Sequence, residues 1–370
     1  MTSSNAVWSR SRAAPRRGRF GARAKVAWFA VLVALLAGFA HRYAERETAR
    51  TSAVFEGTTM GTTYVVKLSV APMPEPEHRR VAEAIERRLE RVEALMSTYR
   101  PDSEISRFNR WRNDQPFEVS RETLEVVRLA QQVSASTEGA FDITVAPLVA
   151  AWGFGVHASD NGRPTRNELH SLQERVGYRL LDLGSGDRTL RKQHPELTLD
   201  LSAIAKGYGV DEVAEELESR GYSDYLVEVG GEVRTRGKNS LGLPWSVGIE
   251  RPSKSDRVVG TAVQLGNRAL ATSGNYRNFH ERFGRTVSHT IDPRTGRPVD
   301  HSVASVSVIH ARAVMADALA TAFHVLGDEE GYELALREGL AVRFVSGDGS
   351  GGCAERVTPA FQALVRPGAR

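Results

Sequence analysis

Residues 197–229 read Leu197-Thr-Leu-Asp200-Leu-Ser-Ala-Ile-Ala-Lys206-Gly-Tyr-Gly-Val-Asp-Glu-Val-Ala-Glu-Glu-Leu-Glu-Ser-Arg220-Gly-Tyr-Ser-Asp-Tyr225-Leu-Val-Glu-Val229. Alternating apolar residues over 197–201 predict a strand, the periodicity of 204–220 predicts a helix, and β-branched and aromatic residues over 225–229 predict a second strand. Upstream, the first strand is expected at 62–70. Three prolines between 71 and 76 mark a loop, and Val81, Ile85, Leu89, Val92 and Met96 recur at helical steps over 77–96. Further helices are expected at 121–136 and 168–176. Downstream, strands are expected at 245–249, 258–264 and 303–309, then helices at 314–326 and 329–338 and a strand at 341–345. Strands and helices are mixed without strict βαβ alternation and without a repeat, which predicts an α+β fold rather than a doubly wound sheet.

The chain has 370 residues, 41% hydrophobic and 25% charged, an ordinary globular composition. Residues 1–25 form a basic tail holding seven cations and no acid; removing seven from the formal +4 leaves −3 on the remainder. The high pI therefore belongs to the tail, and nothing in the rest points to a nucleic-acid partner. Residues 26–42 follow as an apolar signal or anchor segment, predicted to be one N-terminal helix. Its 15 uncharged residues (26–40) would span about 22 Å, short of a ~30 Å hydrocarbon core without help from the flanks. A cleaved signal and a short signal anchor both fit, and both place the rest of the chain, through the polar linker 43–52, across the inner (cytoplasmic) membrane in the periplasm. The single cysteine, Cys353, cannot staple the fold and lies far from the apolar segment.

Three clusters can carry chemistry. In Asp200-Leu-Ser-Ala-Ile-Ala-Lys206-Gly207 a predicted strand ends in a carboxylate at a helix start, where free amides and the dipole favour anions; Asp200 and Ser202 are equally suited to capping. Asp317 and Thr321 stand one helical turn apart, so their oxygens share a face and suit a hard cation such as Mg²⁺; the alternative is a plain polar pair. His289 precedes the turn signature Asp292-Pro-Arg-Thr-Gly296 and is either a base near neutral pH or a partner of that turn. The glycine-rich segments Glu228–Glu232 and Thr272–Tyr276 permit close backbone approach to a ligand. Neither has dinucleotide-fingerprint or Walker spacing, and no hydrolase or zinc motif is present.

Taken in order, eight segments resemble the ApbE family of FAD:protein FMN transferases. They are Thr59-Met60-Gly61-Thr62, Met96–Arg100 with Ser103–Ser106, Gly139–Thr144, Asp200–Gly207, Glu228–Glu232, Thr272–Tyr276, His289–Gly296 and Ala316–Thr321. The resemblance covers about residues 53–350, leaving 351–370 as a C-terminal tail, and implies a tunnelling-fold-like α+β architecture. It implies an FAD site lined by Met60, Tyr99, Ala140, Phe141, Asp142, Asp200, Lys206 and Ile291, with Tyr99 against the flavin. The glycine-rich matches add Glu228, Thr272, Ser273 and Gly274. It further implies Mg²⁺ held by Asp317, Thr321 and the Ala203 carbonyl. The expected reaction is transfer of FMN from FAD to a Thr or Ser hydroxyl of an acceptor flavoprotein, either a subunit of a membrane redox complex or an FMN-binding domain, with release of AMP. His289 and Asp317 are the candidate bases. The alternatives are an FAD pyrophosphatase and a non-catalytic flavin-binding envelope protein. Many members carry a lipid-anchoring cysteine after the apolar segment, and this chain has none there.

Overall fold

Eight strands hydrogen-bond in the order in which they occur along the chain, each antiparallel to the next. They are β1 (Thr51–Thr59), β2 (Thr62–Val70), β3 (Tyr225–Val229), β4 (Glu232–Arg236), β5 (Ala269–Gly274), β6 (Val303–His310), β7 (Ala341–Gly347) and β8 (Cys353–Val357). This computed structural model describes residues 50–155, 158, 163–184, 188–251, 259–274, 280–282, 285–347 and 353–365. The predicted N-terminal apolar helix, at 26–42, lies outside them. Among the described residues, no helix is long and apolar enough to cross a membrane.

Two hairpin turns at one end of the sheet are two residues long. The β3–β4 turn uses Gly230 and Gly231, both at positive φ, as such turns require. The β1–β2 turn places Met60 at φ 50° beside Gly61 at 72°. A left-handed non-glycine residue costs about 1–2 kcal/mol, and here Glu93 compensates: one of its carboxylate oxygens accepts from Met60 N at 2.7 Å and Thr59 Oγ1 at 2.8 Å.

Four main helices, α1 (Glu75–Met96), α2 (Arg121–Ser136), α3 (Ala205–Ser219) and α4 (Ala313–Arg337), pack on one face of the sheet or on one another. Alternation along β5 sends Ala269 and Ala271 into the cores beneath these helices and Leu270 into a smaller core on the other face. That smaller core is closed by the hairpin Ser246–Glu250/Val259–Gln264 and by Phe361 of the short helix Pro359–Gln362. The first turns of α4 are buried almost all round, so the segment needs small residues. Its first amides have no cap from Arg312; the carboxylate of Asp211 on α3 accepts from Ala313 N and Val314 N at 3.0 Å each, and from Arg234 on β4 at 2.8 Å.

Several expectations match closely: 62–70, 121–136 and 225–229 are the observed elements to the residue. The two helices expected at 314–326 and 329–338 are both present within Ala313–Arg337, divided at Gly327, whose φ of 78° leaves the helical region. The strand expected at 197–201 is absent. There Leu199 exchanges both backbone bonds with the side-chain amide of Asn109, at 2.7 and 2.9 Å, and Asp200 N donates to Ile143 O at 2.7 Å, so no ladder forms. β1 begins inside the segment read as linker, and residues read as a C-terminal tail supply β8.

The α3–α4 crossing is set by one glycine. A Cβ on Gly207 would lie 2.7 Å from the carbonyl carbon of Ala313 and 2.8 Å from Asp317 Cβ, both fixed atoms. A Cβ on Gly209 would meet Met60 Cε at 2.8 Å, the end of a flexible side chain. Gly207→Ala is therefore expected to cost about 3 kcal/mol in urea unfolding, whereas Gly209→Ala, which gains helix propensity, should stay within about 1 kcal/mol of the parent.

Candidate active site

The start of α3, the second and third turns of α4, the end of β5, the 140–145 loop and the turn after His289 enclose a cavity of about 390 Å³. From α4 come Asp317, Thr321 and His324, at helical spacing on one face. The residues leading into α3 bring Asp200 and Ala203, its first turn brings Lys206, and β5 brings Thr272, Ser273 and Gly274. Ala140, Phe141, Asp142, His289 and Ile291 close the walls. A second cavity of about 740 Å³ shares Val149 and Asp200 with the first. Tyr99, 72% exposed, stands in its wall with Arg110, Arg112 and Arg175. Sharing a wall, the two cavities suit a long ligand better than a compact one.

Asp317 is 3% exposed, and its Oδ2 accepts from Gly207 N at 2.9 Å. Thr321 Oγ1 lies 3.0 Å from Ser273 Oγ. The Lys206 ammonium is 2.7 Å from Glu232 Oε2, with Glu232 3% exposed. Burial raises the pKa of Asp317, and the nearby Lys206 only partly offsets it. Burial also raises that of Glu232, Lys206 opposing and Asp317 adding to the shift. For Lys206, burial acts to lower the pKa, but Asp317, Glu232 and Glu228 overcome it and hold the group above its ordinary value. Two buried carboxylates, Asp317 and Glu232, thus face one ammonium, an excess of negative charge that a bound cation would relieve. Among the described residues no three His, Cys, Asp or Glu side chains gather as a metal cluster. A metal here would use one carboxylate, the Thr321 hydroxyl and the Ala203 carbonyl, an oxygen-only set that fits a hard cation completing its shell with phosphate and water.

The remaining wall groups are held for shape. Asp142 accepts from Thr144 N, Thr144 Oγ1 and Tyr178 N at 2.6–2.8 Å; burial still raises its pKa despite these bonds. Asp200 Oδ1 accepts from Ser202 N at 2.9 Å, capping the turn before α3 rather than the helix itself, whose N-cap is Ile204. Gly296 N and Thr295 N close the predicted turn on Asp292 O. Two expected residues do not line either cavity. Met60 packs toward Gly209 on α3, and Glu228 accepts from Gly231 N at 2.6 Å, closing its own hairpin.

Two ionisable residues lining the first cavity, Glu232 and His324, had not been singled out. Glu232 lies in the glycine-rich segment, where a carboxylate directly after Gly-Gly was a usable signal. His324 had none: it reads as one more position in an apolar helix. Burial first, then His301 and His289, push its pKa down to about 3, so it stays neutral. His301 Nε2 lies 2.8 Å from the His324 carbonyl, beside the bend at Gly327.

The profile of the ApbE family matches residues 60–344. A Vibrio cholerae protein named FAD:protein FMN transferase is 45% identical over 289 residues, 78% of this chain and 86% of that protein. The solved flavin transferase ApbE from Vibrio cholerae superposes with a TM-score of 0.77 at 41% identity, covering 85% of this chain and 99% of its own. The apo flavinyl transferase ApbE of Pseudomonas stutzeri gives 0.77 at 36% identity, covering 85% and 97%. With most of its length matched in sequence and in fold, this chain belongs to the ApbE family.

Proposed function

We propose that the cleft transfers the FMN part of FAD to a Thr or Ser hydroxyl of an acceptor flavoprotein. The observation that carries this reading is the Asp317–Thr321 pair, one helical turn apart, facing a cavity that shares a wall with a second one, as a dinucleotide needs. Asp317, Thr321 and the Ala203 carbonyl would hold Mg²⁺, which when bound supplies positive charge against the diphosphate of FAD. Lys206 adds a fixed positive charge on the same wall, and Glu232 fixes where it sits. Tyr99 offers an exposed ring for the flavin. The acceptor oxygen bonds to the phosphorus on the FMN side as the bond from that phosphorus to the bridging oxygen breaks, and AMP leaves with the bridging oxygen. The acceptor proton must go to a base. Asp317 is committed to Gly207 N and, in this reading, to the metal, so His289, half-buried in the cavity wall, takes that role.

The acceptor is a subunit of a membrane redox complex or a small FMN-binding domain. The enzyme works outside the cytoplasm, held through residues 26–42; the one-sidedly basic tail supports that orientation. The sheet with its helical layer fits the tunnelling-fold-like description within the same reading. Incubation with FAD and Mg²⁺, with and without acceptor, separates transfer from hydrolysis: covalent fluorescence on the acceptor band supports transfer, and release of FMN at the same rate in both contradicts it.

Asp317→Ala should reduce transfer by about 10²–10³-fold or more and remove the Mg²⁺ dependence of FAD binding; an undiminished rate would end the metal assignment. Because Asp317 and Glu232 are held above their ordinary pKa values, their contribution to stability is present below the ordinary carboxylate range and is lost as pH rises through the raised values. Mg²⁺ must displace the same protons, so its affinity, measured by calorimetry, should climb over that interval. In Glu232→Gln the climb should flatten.

A further inference from the structure

The sheet has two ends of different character. At one lie the cleft and the turns Met60–Gly61 and Gly230–Gly231. At the other the chain enters at Arg50, whose guanidinium pairs with the carboxylate of Asp224. The Oδ1 of that carboxylate accepts from Lys238 N at 2.8 Å, and Gly237 N donates to Asn267 Oδ1 at 3.0 Å. Gly237 has φ 65°, and a Cβ there would lie 2.7 Å from Ser223 O. One aspartate thus fastens the loop over residues 237–245 to the point where the N-terminal segment joins the sheet.

That loop is a built tip. Asn239 Oδ1 accepts from Leu241 N at 3.0 Å and Leu243 N at 3.1 Å, Asn239 N donates to Leu243 O at 2.8 Å, and Trp245 Nε1 donates to Arg236 O at 3.0 Å. The backbone is fixed while the apolar side chains are held outward: Leu241 is 79% exposed and Leu243 54%. Lys238 and Arg50 lie exposed beside them.

We propose that this loop is a lipid-contacting foot, Leu241 and Leu243 entering the surface of the bilayer and turning the cleft away from it. The proposal rests on the anchoring of residues 26–42 described above. Residues 43–49 can reach at most about 25 Å at ~3.5 Å per residue, so the Arg50 end of the sheet must stay near the anchoring membrane. Nine-residue β1 spans about 30 Å at ~3.3 Å per residue, so the cleft would open well above the lipid, where an acceptor's soluble domain can reach it. Two leucines are far too small for a protein interface of ordinary size, but an apolar tip beside the exposed Lys238 suits an anionic bilayer surface.

The test uses the full chain with Cys353→Ser and Leu241→Cys, labelled with an environment-sensitive fluorophore and reconstituted with vesicles of phosphatidylethanolamine and phosphatidylglycerol. A control carries the label at Thr63→Cys, on the cleft end. The expected result is a severalfold rise in emission at 241, quenched by lipids spin-labelled near the headgroup, with no change at 63. A chain that sediments with vesicles while the label at 241 stays in water leaves the anchor standing and overturns the foot. If neither sedimentation nor emission changes, both fall. Emission that rises only when an acceptor flavoprotein is added overturns lipid contact in favour of protein docking. Flavin transfer to soluble acceptor, assayed in parallel, reports separately on the catalytic reading.

Discussion

Two helices from distant parts of the chain touch where Gly207 leaves room for them, and the rest of the site is arranged around that contact. Because Gly207 has no side chain, α4 comes close enough for Asp317 to accept from the Gly207 amide. Asp211, one turn further along α3, caps the first amides of α4 and holds Arg234 on β4. A helix start, a buried carboxylate and a central strand are therefore locked in one geometry by backbone and charge rather than by bulk. Small residues in the first turns of α4 follow from the same closeness.

This closeness also sets the electrostatics. A carboxylate at the surface would stay ionised and solvated; Asp317 and Glu232 are held in the interior with Lys206 as the main counter-charge. Burial of a charge is tolerated only when partners compensate, and here compensation is incomplete. In the proposed reading, a bound cation would supply the missing positive charge. Stability is given up locally for a place where charge can be stabilised, a common condition of catalytic clefts.

How much of this was legible in the sequence depended on whether the deciding interaction was local. The helix at 121–136 announces itself through Leu124, Val127 and Ala130, and the strand at 225–229 through its β-branched and aromatic residues. Asp317 and Thr321 could be paired from their spacing alone, and the Asp292–Gly296 turn from its proline and glycine. The strand expected at 197–201 failed because a side chain, Asn109, took the place of a neighbouring strand. β1 was missed because an edge strand that buries only Phe55 and Thr59 has little apolar pattern to read. His324 and the inward packing of Met60 depend on which helix lies opposite, which no window of residues contains.

The central claim is that Asp317 and Thr321 oxygens hold a divalent cation against the diphosphate of bound FAD. It is tested most directly by a crystal of the protein grown with FAD and Mn²⁺ in place of Mg²⁺. The account predicts an anomalous peak within about 2.2 Å of the Asp317 carboxylate and the Thr321 hydroxyl, touching a phosphate oxygen of the dinucleotide. FAD bound in the cleft with the anomalous peak elsewhere, or with Lys206 alone against the diphosphate, would contradict it.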